Sequence, residues 1–211
     1  MALEKEFVDV SRDIIVQVEW ALILHDIGRF FQVNRKRVLS GKEREHWNKG
    51  EKMLSQDGYW KDFPLILLWV KYHNKYDISN LYKDPLFVKL SLQDKKYAEI
   101  VVKLVRDADK LQNMKYIAFD FEGFLKADKE YPKYPFISEE ILLTYKGWSM
   151  LERDSVTTLA ERVLCYVCWK DDLYFEETKQ QLIRSGFFET VYNFLSNLGV
   201  EKKMLDRLKL V

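Results

Sequence analysis

An all-α fold is predicted by three features of this 211-residue sequence. Apolar residues recur at the three-and-four spacing of an amphipathic helix along most of the chain, and alternating runs bounded by turn residues, the mark of strands, are scarce. The composition, 47% hydrophobic with 15% aromatic residues, is that of a chain that buries a sizeable core.

The first helix is expected from about Val8 to Phe31, with Ile14, Val18, Ala21, Leu22 and His25 on its inward face. A basic loop, NRKRVLSGKERE, leads to a helix near 43 to 56, and another covers about Phe63 to Tyr72. After the turn-rich NKYDISNLYKDP a long helix runs from about Leu86 to Asn113, with Ile100, Leu104, Asp107 and Leu111 on one face. By the same rotation Asp109 lies about 200° away and faces solvent. The stretch KADKEYPKYPF holds two of the four prolines and marks a boundary, giving units 1–128 and 129–211. Beyond it, helices are expected near 138–146, 149–169, 173–185, 187–197 and 200–210, none carrying a histidine.

Charge excludes several classes of function. With 34 Lys plus Arg against 33 Asp plus Glu, no net field draws the protein to nucleic acid or to a membrane. The longest apolar runs, such as PLILLWV, fall far short of the roughly 20 residues that span a bilayer. The beginning, MALEKEFVDVSRD, lacks the pattern of a secretory signal, so a cytoplasmic protein is expected. The two cysteines, Cys165 and Cys168, form a CxxC without a second pair. Three residues apart on an apolar helix, they read as small buried hydrophobes rather than a redox or zinc motif.

The chemistry concentrates elsewhere. All three histidines, His25, His46 and His73, fall in the first part of the chain, each on or beside an apolar helical face. His25 is followed by Asp26 at the end of the apolar run ALIL, where ionisable neighbours need a partner to replace lost solvation, and a metal ion is one such partner. His46 shares its face with Gly50 and Met53, and a glycine one turn away admits another backbone or an ion. Any one of these histidines is explained as a core residue bonded to a carbonyl. Together with Asp26 and Asp107 they make three imidazoles and two carboxylates, a donor set suited to Mn, Fe, Zn or Mg rather than to a thiolate-loving metal.

The motifs LILHDIGRF, EHWNKG, VKYHNKYD and LVRDADKLQN, in this order, resemble those of the HD-domain metal-dependent phosphohydrolases. The resemblance covers roughly residues 14 to 115, and WKDDLYFEETKQQLIRSGFFETVYNFL resembles the C-terminal part of a bacterial branch of the family. It implies an HD-domain helical bundle with a C-terminal helical extension, holding one or two divalent ions, with Mn, Mg, Fe, Zn, Ni and Co not distinguished. In two-metal members Asp26 would bridge, His25 and Asp107 would hold the first ion, and His46 and His73 the second. The implied reaction is hydrolysis of a phosphoester or phosphoanhydride of a small phosphorylated metabolite, a nucleotide foremost, by a metal-bound hydroxide, with Asp26 and His25 as catalytic residues. Divalent ions about 4 Å apart withdraw charge from phosphoryl oxygens and stabilise both attacking and leaving groups.

The chain departs from the family pattern in having no histidine before His25, where a ligand to the first ion is expected. Asp9, Asp13 or a water are alternatives for that position, as are a gene start set too late and a decayed site. Asn48 stands where relatives often carry glutamate. Arg29, Lys49 and Lys110 are candidates for substrate phosphate, arginine's fork being suited to bidentate contact. Arg35, Lys36 and Arg37 read as solvated loop, while Lys75 and Arg106 flank motifs. Trp20, Trp60 and Trp69 read as core, and Trp47, beside His46, is the one candidate for stacking on a base. Competing readings are a non-catalytic scaffold that binds a phosphorylated ligand or nucleotide through a degenerate site, and an iron oxygenase. A small phosphorylated substrate is the expected partner, and a homo-oligomer is compatible with the sequence.

Overall fold

The structure is a computed structural model, and it describes residues 11–29, 46–58, 60–73, 78–121, 123, 131–146, 151 and 155–208. Among these residues every regular element is a helix, so the fold is all-α as the periodicity predicts. None of the helices is long and apolar enough to cross a membrane. The chain divides into two units, Met1–Arg106 and Asp107–Val211, each with its own apolar core.

In the first unit, α1 (Arg12–Leu24) begins where the Ser11 side chain accepts the Ile14 N–H. Its buried stripe is Ile14, Val18, Ala21 and Leu24, so Leu24 takes the inward place expected of Leu22, which is turned outward. A single 3-10 turn, Ile27–Arg29, follows. Next come α2 (His46–Gln56) and α3 (Pro64–Tyr72). Pro64 pre-sets the first turn of α3, and Leu65 through Val70 are all buried, which makes this helix the centre of the unit's core. The expected long helix from Leu86 is two helices, α4 (Pro85–Lys89) and α5 (Leu92–Phe119). Asp84 caps the first by accepting the Leu86 N–H, Leu90 is extended, and Ser91 accepts the Asp94 N–H to start the second.

The two units meet inside α5, after Arg106. Ala98, Val101, Val102 and Val105 of this helix belong to the first core, whereas Met114 and Ile117 belong to the second. A change of core along one uninterrupted helix leaves no proline or glycine to mark it.

The second unit continues with α6 (Glu139–Lys146), α7 (Leu159–Val167), α8 (Glu176–Arg184), α9 (Phe187–Leu198) and α10 (Lys202–Leu208). The helix expected from 149 begins only at Leu159, because Thr158 and Glu161 form a capping box. Glu161 is buried, and its carboxylate accepts the N–H groups of Ser138 at 2.8 Å and Thr157 at 2.8 Å. Burial pushes its carboxyl up, but the Thr157 and Ser138 hydrogen bonds outweigh it and hold it below the usual range. Gly186 (φ 75°) and Gly199 (φ 97°) bound α9 in the left-handed conformation that glycine adopts without strain. Cys165 and Cys168 are buried and unbridged. Burial raises both thiols, Cys168 to about 12, so neither is a thiolate at neutral pH.

The first unit also holds a buried ionic network. Asp84 receives Lys71 Nζ at 2.8 Å and the Tyr72 hydroxyl at 3.0 Å on one oxygen and the Leu86 N–H at 2.8 Å on the other. Burial pushes the Asp84 carboxyl up, but the Lys71 and Leu86 hydrogen bonds, the Lys71 charge and the Tyr72 hydroxyl together hold it below its ordinary value. A depressed carboxyl stabilises the fold above the unfolded-state pKa, about 3.9, and that contribution is lost as pH falls through the folded value. Asp84→Ala is therefore expected to cost about 2 kcal/mol at neutral pH. In urea titrations between pH 7 and pH 2, the gap between wild type and variant should close on the acid side.

Candidate metal centre

Three donor atoms converge in the first unit. His46 Nε2 lies 3.0 Å from Asp26 Oδ1 and 3.2 Å from His73 Nε2, and His73 Nε2 lies 3.8 Å from the same Asp26 oxygen. Donors sharing one ion at about 2.1 Å, with bond angles of 90–110°, stand about 3.0–3.5 Å apart. The observed separations cover that range and slightly exceed it. His25 stands on the other side of the carboxylate, its Nε2 3.6 Å from Asp26 Oδ2. The His25 and His73 rings are 5.1 Å apart.

The chain places each donor by simple means. His25 is the C-cap of α1 and His73 that of α3, and in both the ring Nδ1 donates to the carbonyl three residues back, Leu22 and Val70 respectively, at 2.7 Å. A carbonyl only accepts, so Nδ1 carries a proton, and in the neutral ring it is Nε2 that presents the lone pair. The terminal carbonyls of both helices add a negative potential that favours a cation. His46 Nε2 stands within hydrogen-bond distance of both Asp26 Oδ1 and His73 Nε2, and these three atoms form an electron-rich group that a positive charge between them stabilises. His46 and His73 are buried, while the Asp26 side chain is 34% exposed, so the group is closed on the histidine side and reaches solvent through Asp26.

Gly28 sets the distance between Asp26 and His46. A Cβ at this position would lie 1.9 Å from the His46 carbonyl oxygen and 2.8 Å from the Gly50 nitrogen, so the 3-10 turn meets the backbone of α2 directly. Gly50 returns the approach, its own Cβ position lying 3.4 Å from the Gly28 nitrogen. The expectation that Gly50 admits another backbone is met by this contact.

Other predicted site residues are placed differently. Asp107 is 1% exposed, as its apolar register predicts, but both its oxygens are taken within the second unit. Oδ1 accepts the Tyr174 N–H at 3.0 Å and Oδ2 the Phe175 N–H at 2.9 Å, so the carboxylate ties down the segment that leads into α8. Burial raises this carboxyl, with the two N–H groups opposing. Here Asp107 anchors the main chain at Tyr174 and Phe175. The Lys110 ammonium pairs with the Asp172 carboxylate and donates to the Asp172 carbonyl at 3.1 Å. Asp109, expected to face solvent, is half-buried and accepts from the Asn113 amide at 3.1 Å.

Asp13 is exposed in the first turn of α1, which at about 1.5 Å per residue carries it roughly 18 Å from His25. Lys49, Asn48 and Trp47 are half-buried on α2. Trp69 is fully buried, but Trp20 is 43% exposed, packing edge-on against Trp60 rather than joining the core. Asp9, Arg35, Lys36, Arg37, Lys75 and the Arg29 side chain lie outside the described residues. The carbonyl bonds of His25 and His73 are legible only in the fold. Gly28, two residues beyond Asp26, was open to reading as a close-approach glycine.

A family model described as HD domain matches residues 9–114, half of the chain. The chain belongs to the HD domain family. No curated protein and no solved structure matches it. HD domains are generally metal-dependent hydrolases that bind divalent ions, and the matched span contains His25, Asp26, His46 and His73. The donor set fits such an ion by chemistry as well as by spacing, with imidazole nitrogens and one carboxylate oxygen.

Proposed function

We propose that this HD domain protein is a metal-dependent phosphohydrolase acting on a small phosphorylated metabolite, foremost a nucleotide, with Asp26, His46 and His73 as ligands of a divalent ion and His25 beside Asp26 at the solvent side. The observation that supports it is the convergence of Asp26 Oδ1, His46 Nε2 and His73 Nε2, whose donor atoms all lie within 4.8 Å of one another. A divalent ion supplies charge withdrawal from phosphoryl oxygens and activation of a water. The chain's own residues do the rest. His46 and His73 close the inner side against solvent, so the reacting phosphate meets the site from the Asp26 side. His25, with Nδ1 fixed on Leu22, presents Nε2 there as an acceptor able to hold or orient a water. Lys49, on the helix of His46, is the candidate cation for substrate phosphate within this reading.

A second reading is a phosphate-ligand binder without turnover, in which the same donors hold an ion and a phosphorylated ligand. Elemental analysis of the purified protein and a hydrolysis panel separate the two. The panel comprises nucleoside mono-, di- and triphosphates, p-nitrophenyl phosphate and bis-p-nitrophenyl phosphate, each with Mn, Mg, Co, Ni, Fe or Zn. Metal-dependent phosphate release abolished by chelator is the expected result. A tightly held ion with nucleotide binding and no turnover would establish the binder, and a protein that takes up none of these ions would sink both.

A further inference from the structure

The helix α1 is apolar on two sides. Its inward stripe of Ile14, Val18, Ala21 and Leu24 joins the first core, while Ile15, Val16, Trp20, Leu22 and Ile23 reach solvent, Ile23 being 68% exposed. Among the described residues these are five of the fifteen large apolar side chains left exposed, gathered on one helix of 13 residues. At about 100° per residue they fall in an arc of about 160°, and Arg12 and Glu19, both exposed, lie inside the same arc. Side chains of this size present about 150–250 Å² when fully exposed, so five that are about half exposed leave on the order of 500 Å² of apolar surface. That is large for the biggest apolar patch of a monomer, and more than half of the roughly 800 Å² that a stable interface takes from each partner.

We infer that this face of α1 is the interface of a two-fold dimer, in which α1 of one protomer packs antiparallel against α1 of a second copy. Charge selects both the occupant and the register. A two-fold axis passing between Ile15 and Val16 sets Arg12 of each helix opposite Glu19 of the other, and Ile15 of each opposite Val16 of the other. Arg12, Val16, Glu19 and Ile23 follow one another at the four-three-four spacing of a helix-pairing seam. Parallel pairing would instead bring Arg12 against Arg12 and Glu19 against Glu19, which like charges oppose. A lipid surface suits the face less well, because Arg12 is the single cation of α1 and is outnumbered by Asp13 and Glu19. The inference stands apart from the metal-centre reading, since the axis crosses α1 near its start and His25 caps its other end.

The test is sedimentation equilibrium of the full chain in chelator, over a wide range of protein concentration. Wild type should show the mass of two chains, falling towards one on dilution. Val16→Glu and Ile23→Glu, both on the exposed face, should keep the helicity of wild type by circular dichroism and sediment as monomers. Arg12→Glu and Glu19→Arg each set like charges together at two places in the dimer, so each should weaken it about tenfold or more. The double variant Arg12→Glu/Glu19→Arg restores opposite charges at both places and should recover the wild-type dissociation constant. A wild type that stays monomeric throughout would overturn the inference, as would a dimer indifferent to Val16→Glu and Ile23→Glu or one that the charge swap fails to restore. A monomer that sediments with phosphatidylserine vesicles would give the face to a lipid surface and end the proposal. So would a monomer that Ile23→Glu destabilises in urea, because the face would then be covered by its own chain.

Discussion

Asp26→Ala should leave a folded protein that holds less than about a tenth of the wild-type metal and hydrolyses phosphate esters at least about a thousandfold more slowly. The expectation follows from the position of one carboxylate. Oδ1 stands 3.0 Å from His46 and 3.8 Å from His73, and Oδ2 stands 3.6 Å from His25, so the residue touches every imidazole of the group and supplies its only negative charge among these four side chains. Three imidazoles and no carboxylate remain in the variant, a much weaker site for a hard divalent ion. Stability should change by less than about 1 kcal/mol, because the side chain is 34% exposed. Asp26→Asn sharpens the test, keeping shape while removing charge and offering an amide N–H to His73 Nε2. Elemental analysis, a urea melt and turnover on the best substrate of the panel suffice. Full activity in either variant would end the metal-centre reading.

The sequence was most legible where one physical rule acted alone. Helical periodicity set the class and placed α3 within a residue, since Pro64 opens it and a continuous apolar run fills it. The Asp84-Pro85 and Ser91 to Asp94 caps were equally present in the sequence, yet the apolar pattern runs through Leu90 and hides the break. Periodicity also placed Asp107 inward correctly. Register specifies burial and says nothing of the partner, and here the partner is the main chain at Tyr174 and Phe175, far along the sequence. Lys110 shows the same limit, its charge being answered by Asp172. The histidines were legible as a set because three imidazoles on apolar faces share few explanations. The device that aims two of them, Nδ1 to the carbonyl three residues back, exists only once the helices have ended at Leu24 and Tyr72. Trp20 was misplaced because helical spacing alone does not say which of two apolar faces a helix buries, and α1 has apolar residues on both.

Gly28→Ala is expected to be the most damaging single-methyl change in the first unit, with a loss of about 3 kcal/mol or more and no metal retained. The added Cβ would stand 1.9 Å from the His46 carbonyl oxygen and 2.8 Å from the Gly50 nitrogen. Both are main-chain atoms of α2, so no side-chain rotation relieves the clash, and the 3-10 turn and the helix must move apart. Asp26 precedes the turn and His46 begins the helix, so the same movement widens the 3.0 Å separation on which the donor group depends. Gly50→Ala is the control. Its Cβ meets Val70 Cγ1 at 3.1 Å and Ile27 Cγ2 at 3.2 Å, side-chain atoms able to yield, and alanine's better helix propensity offsets about 1 kcal/mol of the crowding. Urea denaturation and metal analysis of the two variants should therefore separate widely. A Gly28→Ala protein as stable and as metal-loaded as Gly50→Ala would mean that the turn and α2 do not meet backbone to backbone, and the spacing of Asp26 and His46 would need another cause.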